Sequence, residues 1–280
     1  MIDQKSHPVH GNSITPPFDE SGKSPLRVVE THLEAQSPDE LLSRLLRLSG
    51  EAERKRFARH LTAAAGQASL VVATQRPPDS AAYRLVKRAF DIVVAGSLLM
   101  FLLPGFLFVA LAIVLDSGFP ILYYQPRVGK DGKPIRFFKF RSMVRGADAL
   151  KASLEAHNEA EGPIFKMRND PRITRVGRWL RRYSIDELPQ FINVLRGDTS
   201  LIGPRPMLGH EVAECSERQW QRHSVQPGLV CLREISGRSA LTFEEWMALD
   251  LLYISCRSFK TDLRILLQVL PSLLRSKHAF

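Results

Sequence analysis

The sequence predicts a mixed α/β, mostly helical protein that places part of its chain in a membrane and carries a small helical N-terminal extension. Three observations support this fold class. An uncharged apolar segment of 24 residues runs from Ile92 to Leu115. Two apolar stretches typical of strands flank a turn at residues 130–134. Leucine-rich patterns of helical period occur both before and after them.

Composition and charge narrow the classes of protein that remain. Of the 280 residues 44% are apolar, which excludes wholesale disorder. The three cysteines have neither close pairing nor metal-type spacing, which excludes a disulfide scaffold and indicates a reducing compartment. The first 25 residues contain no apolar core of a signal peptide, so we expect no cleaved leader.

The net charge of +10 is concentrated in one block. Residues 127–182 contain 15 basic and 6 acidic side chains. Such a block is often a solvated face, but this concentration favours a surface that meets anions: phosphates, an anionic membrane or nucleic acid.

Residues 1–80 are predicted to be an accessory region of unknown role. Residues 1–26 have the composition of a flexible tail. A helix is predicted over 38–65, because Ser37 suits an N-cap and Pro38 the first helical position. A proline-rich breaker at 76–79 marks the boundary.

The apolar segment 92–115 is predicted to enter the membrane. As one helix it would be about 36 Å long, against a hydrocarbon core of about 30 Å. Pro104 lies at its middle, where proline kinks or breaks a helix. Because basic residues flank both sides, a re-entrant hairpin with two halves of about 17 Å is favoured. A kinked full span is the alternative.

The rest of the chain is predicted to be folded outside the membrane, from residue 121 to 280. The C-terminal helix carries a leucine stripe that suits the membrane interface and core packing equally. The predicted strands are 121–124 and 135–140, and the predicted helices are 144–160, 172–183, 188–196, 208–222, 243–257 and 262–274.

The adjacent carboxylates Asp186 and Glu187 are the first candidate site. One interpretation is a capping box from Ser184 to Glu187, but Pro189 would then fall where a helical N–H must bond. A helix that begins at Asp186 removes this conflict. Adjacent carboxylates close to the arginines of 178–182 suit Mg²⁺ and phosphoryl groups.

Fixed cations form the second and third candidates. Arg205 lies between two prolines, which suits a rigid phosphate contact, although an ordinary turn would give the same pattern. Lys139 and Arg141 fall on one side of a predicted strand end, where they could hold one anion or form an exposed edge. The sequence lacks the common phosphate-loop, dinucleotide, serine-hydrolase and HExxH motifs.

From Lys87 onward the chain resembles the bacterial sugar transferases, the monotopic polyprenyl-phosphate phosphoglycosyl transferases. The resemblance covers about 190 residues in order. The matching motifs are KRAFD at 87–91, QPRVG at 125–129, KFRSM at 139–143, DPRITRVGRWLRR at 170–182, SIDELPQFINVLRGDTSLIGPRP at 184–206, QPGL at 226–229 and SGRSALTFEEW at 236–246.

The resemblance implies a reaction, a location and roles for particular residues. The family transfers a sugar-1-phosphate from a UDP-sugar to undecaprenyl phosphate, releases UMP and thereby starts a surface glycan such as an exopolysaccharide. Residues 81–280 would be this domain, with a hairpin broken at Pro104 in the bacterial inner membrane and the catalytic part on the cytoplasmic face. Asp186 would be the nucleophile that forms a covalent phosphosugar intermediate. Glu187 would assist it through Mg²⁺, and both carboxylates would bind the ion. The remaining site residues would contact substrate or phosphate: Lys139, Arg141, Arg181, Arg205 and Asp250.

Some questions stay open at this stage. The competing hypothesis is a non-enzymatic, membrane-anchored basic module that binds anionic lipid or nucleic acid. The enzyme hypothesis needs no nucleic-acid partner and leaves a homodimer open. Arg233 and Glu234 replace an aromatic–amide pair of the family pattern, which leaves the sugar and nucleotide preference undecided.

Overall fold

The computed structural model describes residues 37–66, 80–159, 165, 167–237 and 240–275. Within these residues the chain is mostly helical, with two small two-stranded sheets. The helices are α1 (Pro38–Arg47), α2 (Glu51–Gly66), α3 (Ala81–Ser117), α4 (Lys151–Leu154), α5 (Arg175–Arg182), α6 (Phe191–Arg196), α7 (Gly209–Ala213), α8 (Glu217–Trp220), α9 (Arg233–Ser236), α10 (Phe243–Ser255) and α11 (Phe259–Arg275), and the strands are β1 (Leu122–Val128), β2 (Pro134–Phe140), β3 (Ser200–Ile202) and β4 (Gly228–Val230).

The N-terminal extension shares its core with the rest of the protein. Ser37 caps α1 as predicted, in a capping box with Glu40. The single helix predicted over 38–65 is wrong, because the chain leaves the helical conformation between α1 and α2. Leucines of α1 and Phe57 of α2 are buried in one cluster with Leu249 and Leu252 of α10. The predicted tail at 1–26 and breaker at 76–79 lie outside the described residues.

Helix α3 contains the whole predicted membrane segment and continues through its proline. It is 37 residues long, with Pro104 in its interior. The predicted division into two separate helices is therefore wrong here, because one missing N–H weakens a long helix without ending it. By length and composition α3 could cross a membrane. Large apolar side chains such as Phe101 (81% exposed) and Phe108 (78% exposed) project from it.

Both ends of α3 are bonded to the same folded body. Near the N-terminal end, the Asp91 carboxylate accepts the Leu201 N–H at 3.1 Å, and Arg88 donates to carbonyls in the last turn of α6. At the other end, the Asp116 carboxylate accepts the Val176 N–H at 3.1 Å. The ends of the apolar segment are thus held by β3 and by α5. Both elements lie next to the site described below.

The predicted hairpin of β1 and β2 is confirmed. The strands are antiparallel, and Leu122 pairs with Phe140. β3 and β4 form a parallel pair in which Ser200 lies beside Gly228. A side chain at Gly228 would collide with the Gly203 backbone, and one at Gly203 would collide with the Gln226 carbonyl. These contacts fix the loop that leaves β3.

Several helix boundaries differ from the prediction. Within the predicted helix 144–160, residues 144–159 form turns, the short α4 and a 3₁₀ turn rather than one helix, since Gly146 adopts a left-handed φ of 72°. The predicted helix 208–222 is divided into α7, α8 and a 3₁₀ turn. Helix 243–257 is confirmed as α10.

The C-terminal helix is confirmed, but the predicted leucine stripe is not its core face. Ile265 and Val269 of α11 are fully buried in the main core. Leu263 and Leu267 of the predicted stripe are 41% and 59% exposed. Leu266 of the same stripe packs against the core beside Ile265 and Val269, so core packing takes up one edge of the stripe, and the membrane-interface role of the exposed leucines stays a prediction. Side chains from residue 270 onward lie outside those described.

Candidate active site

A cleft of about 770 Å³ brings together the sequence-predicted site residues, with one exception. It lies between the end of β2, the segment from α5 to α6 and the loop after β3. Asp250 lies behind its wall rather than on it, 1% exposed. The predicted residues that line the cleft are Lys139, Arg141, Arg181, Asp186, Glu187 and Arg205.

A strained turn delivers the two carboxylates to the cleft. Ser184 adopts a left-handed φ of 54°, which is unusual for a residue with a side chain. A 3₁₀ helix, Ile185–Gln190, follows and leads directly into α6. Ser184 makes no side-chain cap, so the capping-box interpretation is wrong. The 3₁₀ geometry accommodates Pro189 and leaves Asp186 and Glu187 in the first turn.

Glu187 is held by two cations through one oxygen. Its Oε1 accepts from Lys139 Nζ at 2.9 Å and from Arg205 Nη2 at 2.5 Å. Burial alone would raise the pKa of this carboxyl. Arg205 and Lys139 outweigh burial and hold the pKa of Glu187 well below its usual range. Glu187 is therefore ionised at every pH at which the protein would work.

Asp186 has the opposite electrostatic character, although it is the next residue. It is only 6% exposed, and burial raises its pKa above the usual aspartate value. The Lys139 charge opposes this rise, and the Glu187 carboxylate adds to it. A buried carboxylate that has lost hydration is a stronger nucleophile than one in water.

The loop after β3 presents Arg205 rigidly, as the two prolines predicted. Backbone oxygens of four successive residues, 204–207, each accept a hydrogen bond from a different group. The Arg205 carbonyl accepts from Arg222 Nη2 at 2.7 Å. Arg222 is 2% exposed and is itself paired with Asp250 through Nε at 2.9 Å. This buried pair therefore supports the backbone of Arg205.

A close approach between α5 and the end of β2 positions Arg181. A side chain at Gly177 would collide with the Ser142 carbonyl, so glycine is required for this packing. The approach lets Arg181 Nε donate to Ser142 Oγ at 2.9 Å. Burial raises the pKa of Asp186, and the nearby Arg181 charge opposes part of that rise.

Two predicted phosphate ligands have different partners from those expected. Lys139 and Arg141 line one cleft but hold no common group, because Lys139 is bonded to Glu187. Arg141 Nη2 donates to Ser117 Oγ at 2.8 Å and to the Gly118 carbonyl, beside the end of α3. Arg141 is 6% exposed, and its buried Nε and Nη1 have no hydrogen-bond partner among the described residues. These orphaned donors suit an anion in the cleft.

Sequence reasoning missed Arg222 and Trp246. Arg222 pairs across 28 residues with Asp250, and both Arg222 and Arg233 contact the Trp246 ring. Trp246 was quoted within a motif, but no spacing in the sequence brings these elements together.

The carboxylates fit one kind of Mg²⁺ site. Among the described residues no group of three or more potential ligands converges. Mg²⁺ often uses one or two carboxylates and completes its shell with water and substrate phosphates. Both ion pairs of Glu187 use Oε1, and Oε2 takes part in neither. Asp186 and Glu187 therefore fit a Mg²⁺ that is shared with a phosphate substrate.

Comparison with known proteins gives a consistent family. Residues 82–276 match the family model described as bacterial sugar transferase. The chain is 42% identical over 193 residues to the galactosyl transferase CpsE of Streptococcus agalactiae, covering 68% of this chain and 42% of that protein. It is 41% identical over 226 residues to the undecaprenyl-phosphate glucose phosphotransferase of Komagataeibacter xylinus, covering 77% of this chain and 40% of that protein.

The matched region is a part of these longer relatives, about two fifths of their length. A shorter relative is the exopolysaccharide production protein ExoY of Rhizobium meliloti, 31% identical over 213 residues, which cover 73% of this chain and 94% of ExoY. The similarity therefore lies in the part that contains α3 and the cleft.

Proposed function

Because the chain belongs to the bacterial sugar transferase family, we propose that it transfers a sugar-1-phosphate from a UDP-sugar to undecaprenyl phosphate and releases UMP. The observation that carries the proposal is the pairing at residues 186 and 187. A buried carboxylate of raised pKa stands beside one of lowered pKa that is held by two fixed cations.

In the first step Asp186 attacks the phosphorus that bears the sugar. One carboxylate oxygen forms a bond to that phosphorus, and the bond to the bridging oxygen of the diphosphate breaks. UMP leaves with the electron pair. The arginines and Lys139 neutralise charge on the phosphate oxygens, which the attack of an anion on an anion requires.

In the second step the lipid phosphate completes the transfer. An oxygen of undecaprenyl phosphate attacks the same phosphorus, the bond to Asp186 breaks, and a lipid diphosphate sugar leaves. The aspartate returns to its starting form. Direct transfer would require the two anionic substrates to react with each other. Two steps through Asp186 allow a single site to bind them in turn.

Arg141 marks the end of the cleft that suits the lipid phosphate. It is bonded to Ser117 and Gly118, where the apolar helix ends, and it has buried donors without partners. Since the acceptor comes from the membrane, its phosphate would reach this end first. Mg²⁺, held by Asp186 and Glu187 together with substrate phosphates, would supply further neutralisation of phosphate charge.

Attachment of both ends of α3 to one body supports re-entrant insertion. Asp91 is bonded to β3 and Asp116 to α5 of the same folded unit. Insertion from one side would require α3 to bend at Pro104 within the bilayer, so that both flanks return to the side of the unit that binds them. We therefore place the catalytic part on the cytoplasmic face of the bacterial inner membrane. UDP-sugars would reach it there, and the step that starts exopolysaccharide synthesis would take place there.

The test is UMP release by purified protein from a panel of UDP-sugars, with Mg²⁺ and undecaprenyl phosphate in nanodiscs. Mass spectrometry of the protein without lipid acceptor should detect an added sugar phosphate on the peptide that contains Asp186. Asp186→Asn should abolish both signals. UMP release that persists in Asp186→Asn would overturn the assigned nucleophile, and folded wild type without release from any sugar would overturn the reaction.

The non-enzymatic basic module is the second candidate, favoured by the +9 block at 127–182. It predicts that binding to anionic vesicles is the whole function and that it weakens uniformly with salt. Asp186→Asn would then leave function intact, which distinguishes the two candidates in one variant.

A further inference from the structure

A second cavity lies beside the N-terminal part of α3, outside the cleft. It has a volume of about 210 Å³ and shares no lining residue with the cleft. Its walls include residues of α3, of the turn between β1 and β2, and of the segment that joins α6 to β3. A water molecule occupies about 30 Å³ in the liquid, so the cavity has room for a group of several atoms.

Positive charge predominates in this cavity. Five arginines and lysines line it against one carboxylate, that of Asp91. The Asp91 carboxylate already accepts the Leu201 N–H at 3.1 Å, and Lys87 is paired with Asp262 at 2.7 Å. Arg88 donates instead to two backbone carbonyls, which are neutral and do not balance its charge. The cavity therefore favours an anion over a neutral or cationic group.

Arg88 is fixed at the wall of the cavity. Its Nη1 and Nη2 donate to the carbonyls of Val194 and Leu195 in the last turn of α6, at 2.5 and 2.7 Å. Its guanidinium lies against Gly197, where an added side-chain carbon would be 3.4 Å from Nη2, and Gly197 itself lines the cavity. An arginine has five N–H donors, and these two bonds leave others that can reach an acceptor at the same wall.

A buried hydroxyl is a second, independent indication of a ligand. Thr199 is 1% exposed and lines the cavity from the segment before β3. Its Oγ1 has no hydrogen-bond partner among the described residues. Buried polar atoms are rarely left unpaired, and a hydroxyl can donate to a phosphate oxygen. Lys130 lines the same cavity from the turn between β1 and β2, so one hydroxyl and two cations are available for the oxygens of a phosphate group.

The position of the cavity along α3 places it close to the membrane surface. Lys87 and Arg88 lie five and four residues before Ile92, where the apolar segment begins. At 1.5 Å per residue this is about 6–8 Å along the helix axis. The headgroup layer on each side of the hydrocarbon core is about 5–8 Å thick. With α3 inserted as proposed, the cavity would lie at the depth of lipid phosphates.

We propose that this cavity binds a phosphate-bearing anion through Arg88, Lys130 and Thr199. Its depth favours the headgroup phosphate of an anionic phospholipid as the source, and this choice of source rests on the proposed insertion of α3. The other source of the same chemistry is free inorganic phosphate. A bound headgroup would hold the N-terminal flank of α3 at the membrane surface without taking part in the transfer of the sugar phosphate.

Lipid retention tests the headgroup as the source. The full chain is reconstituted in nanodiscs of phosphatidylcholine that contain phosphatidylglycerol, and native mass spectrometry counts the phosphatidylglycerol that stays bound on release. We expect one retained lipid in the wild type and at least a tenfold lower occupancy in Lys130→Gln/Thr199→Val. Lys133→Gln is the charge-matched control, because Lys133 is exposed on the same turn and outside the cavity. It should retain the lipid as the wild type does.

Inorganic phosphate tests the site without a membrane. It is titrated calorimetrically into the detergent-purified chain and the same variants, with melting temperatures confirming that each is folded. If the double variant does not fold, Lys130→Gln alone gives the same comparison with Lys133→Gln. Phosphate binding that is lost in the cavity variants but kept in the control, without lipid retention, would support the site and identify free phosphate as the source.

Two results would overturn the proposal. One is that the wild type retains no phosphatidylglycerol and binds no phosphate. The other is that the cavity variants and Lys133→Gln retain lipid and bind phosphate equally. UMP release is measured separately on the same preparations, so failure of the proposed reaction is distinguished from failure of this site.

Discussion

Arg205 Nη2 lies 2.5 Å from Glu187 Oε1, and this ion pair holds together two segments that are 18 residues apart. Lys139 reaches the same oxygen from β2. Glu187 is therefore the junction at which the hairpin, the 3₁₀ turn and the Pro-Arg-Pro loop meet. It holds Lys139 and Arg205 close to Asp186, while the ion pairs of these two cations are made with Glu187.

Glu187→Gln should loosen this junction. The variant keeps the shape but leaves two half-buried cations with a neutral partner, and we expect a loss of about 2 kcal/mol in unfolding free energy at pH 7. Because the pKa of Glu187 is lowered in the fold, its contribution is present above the ordinary glutamate pKa and is lost only as pH falls below it. Denaturant titrations in detergent at pH 7 and pH 5.5, both above the ordinary glutamate pKa, should therefore give similar differences. A difference that vanishes by pH 5 would contradict the ion pairing.

Asp186→Asn should be inactive and yet more stable than wild type. The raised pKa of Asp186 means that its charged form is disfavoured in the fold, so stability is lost as pH rises through the folded pKa. Asparagine removes this cost. Melting temperature should be higher in the variant at pH 7, and the difference should shrink toward pH 4. A variant less stable than wild type at pH 7 would show that the Asp186 charge is net stabilising.

The same shift predicts the pH profile of turnover. Asp186 attacks as the carboxylate, so kcat/KM for the donor should fall on the acid side. Because burial raises the pKa of Asp186, this fall should begin at a higher pH than for an exposed aspartate. A pH–rate series of single-turnover UMP release checks it. A flat profile down to pH 4 would contradict the raised pKa.

Gly177→Ala should damage the site from a distance. The added methyl group collides with the Ser142 carbonyl, so α5 must move and carry Arg181 with it. We expect a loss of about 1–3 kcal/mol in stability and at least a tenfold loss of activity. Gly209→Ala is the matched control, since nothing lies within 4 Å of its added carbon. Equal effects of the two substitutions would refute the packing argument.

The Arg222–Asp250 pair should behave as support for Arg205. Asp250→Asn leaves a buried guanidinium without its counter-ion, and the expected loss is about 3–5 kcal/mol. The double variant Arg222→Met/Asp250→Leu should regain much of that stability but not the kcat, because the hydrogen bond to the Arg205 carbonyl is missing. Recovery of kcat together with stability would mean that the pair is structural alone.

Re-entrant insertion predicts that both flanks of α3 are reached from one side. Single cysteines at exposed Ser80 and Lys133 should both react with an impermeant thiol reagent in inverted vesicles, and neither should react in intact cells. The variants also carry Cys215→Ser, because Cys215 is partly exposed. The native Cys231 and Cys256 are buried, and burial raises the pKa of the Cys231 thiol to about 12, so these two add little background. Labelling of the two positions from opposite sides would establish a full span.

The sequence predicted correctly those elements that depend on interactions between residues close together in the chain. The Ser37 cap, the β hairpin and helix α10 follow from capping, turn and periodicity signals. Pro189 ruled out the capping box because its geometry is fixed by its own ring. These features depend on a few neighbouring residues, which a sequence displays directly.

Features that depend on distant contacts were not predictable in the same way. Leu263 and Leu267 of α11 are exposed because Ile265 and Val269 meet the core, and nothing within that helix indicates which face does so. The family resemblance suggested Asp250 as a site residue, yet it is paired with Arg222 and lies behind the cleft wall. The continuity of α3 through Pro104 was likewise not predicted, because a proline can either end a helix or only kink it.

Anchoring of α3 at both ends has a kinetic consequence for an enzyme that meets a lipid. With α3 inserted as proposed, the cleft would be held at one height relative to the bilayer, and encounters with the acceptor would occur by lateral diffusion in a plane. The relevant quantity is then the mole fraction of polyprenyl phosphate in the membrane, not its bulk concentration. Diluting the acceptor with neutral phospholipid at constant total acceptor should slow turnover, whereas diluting the vesicles in buffer should not.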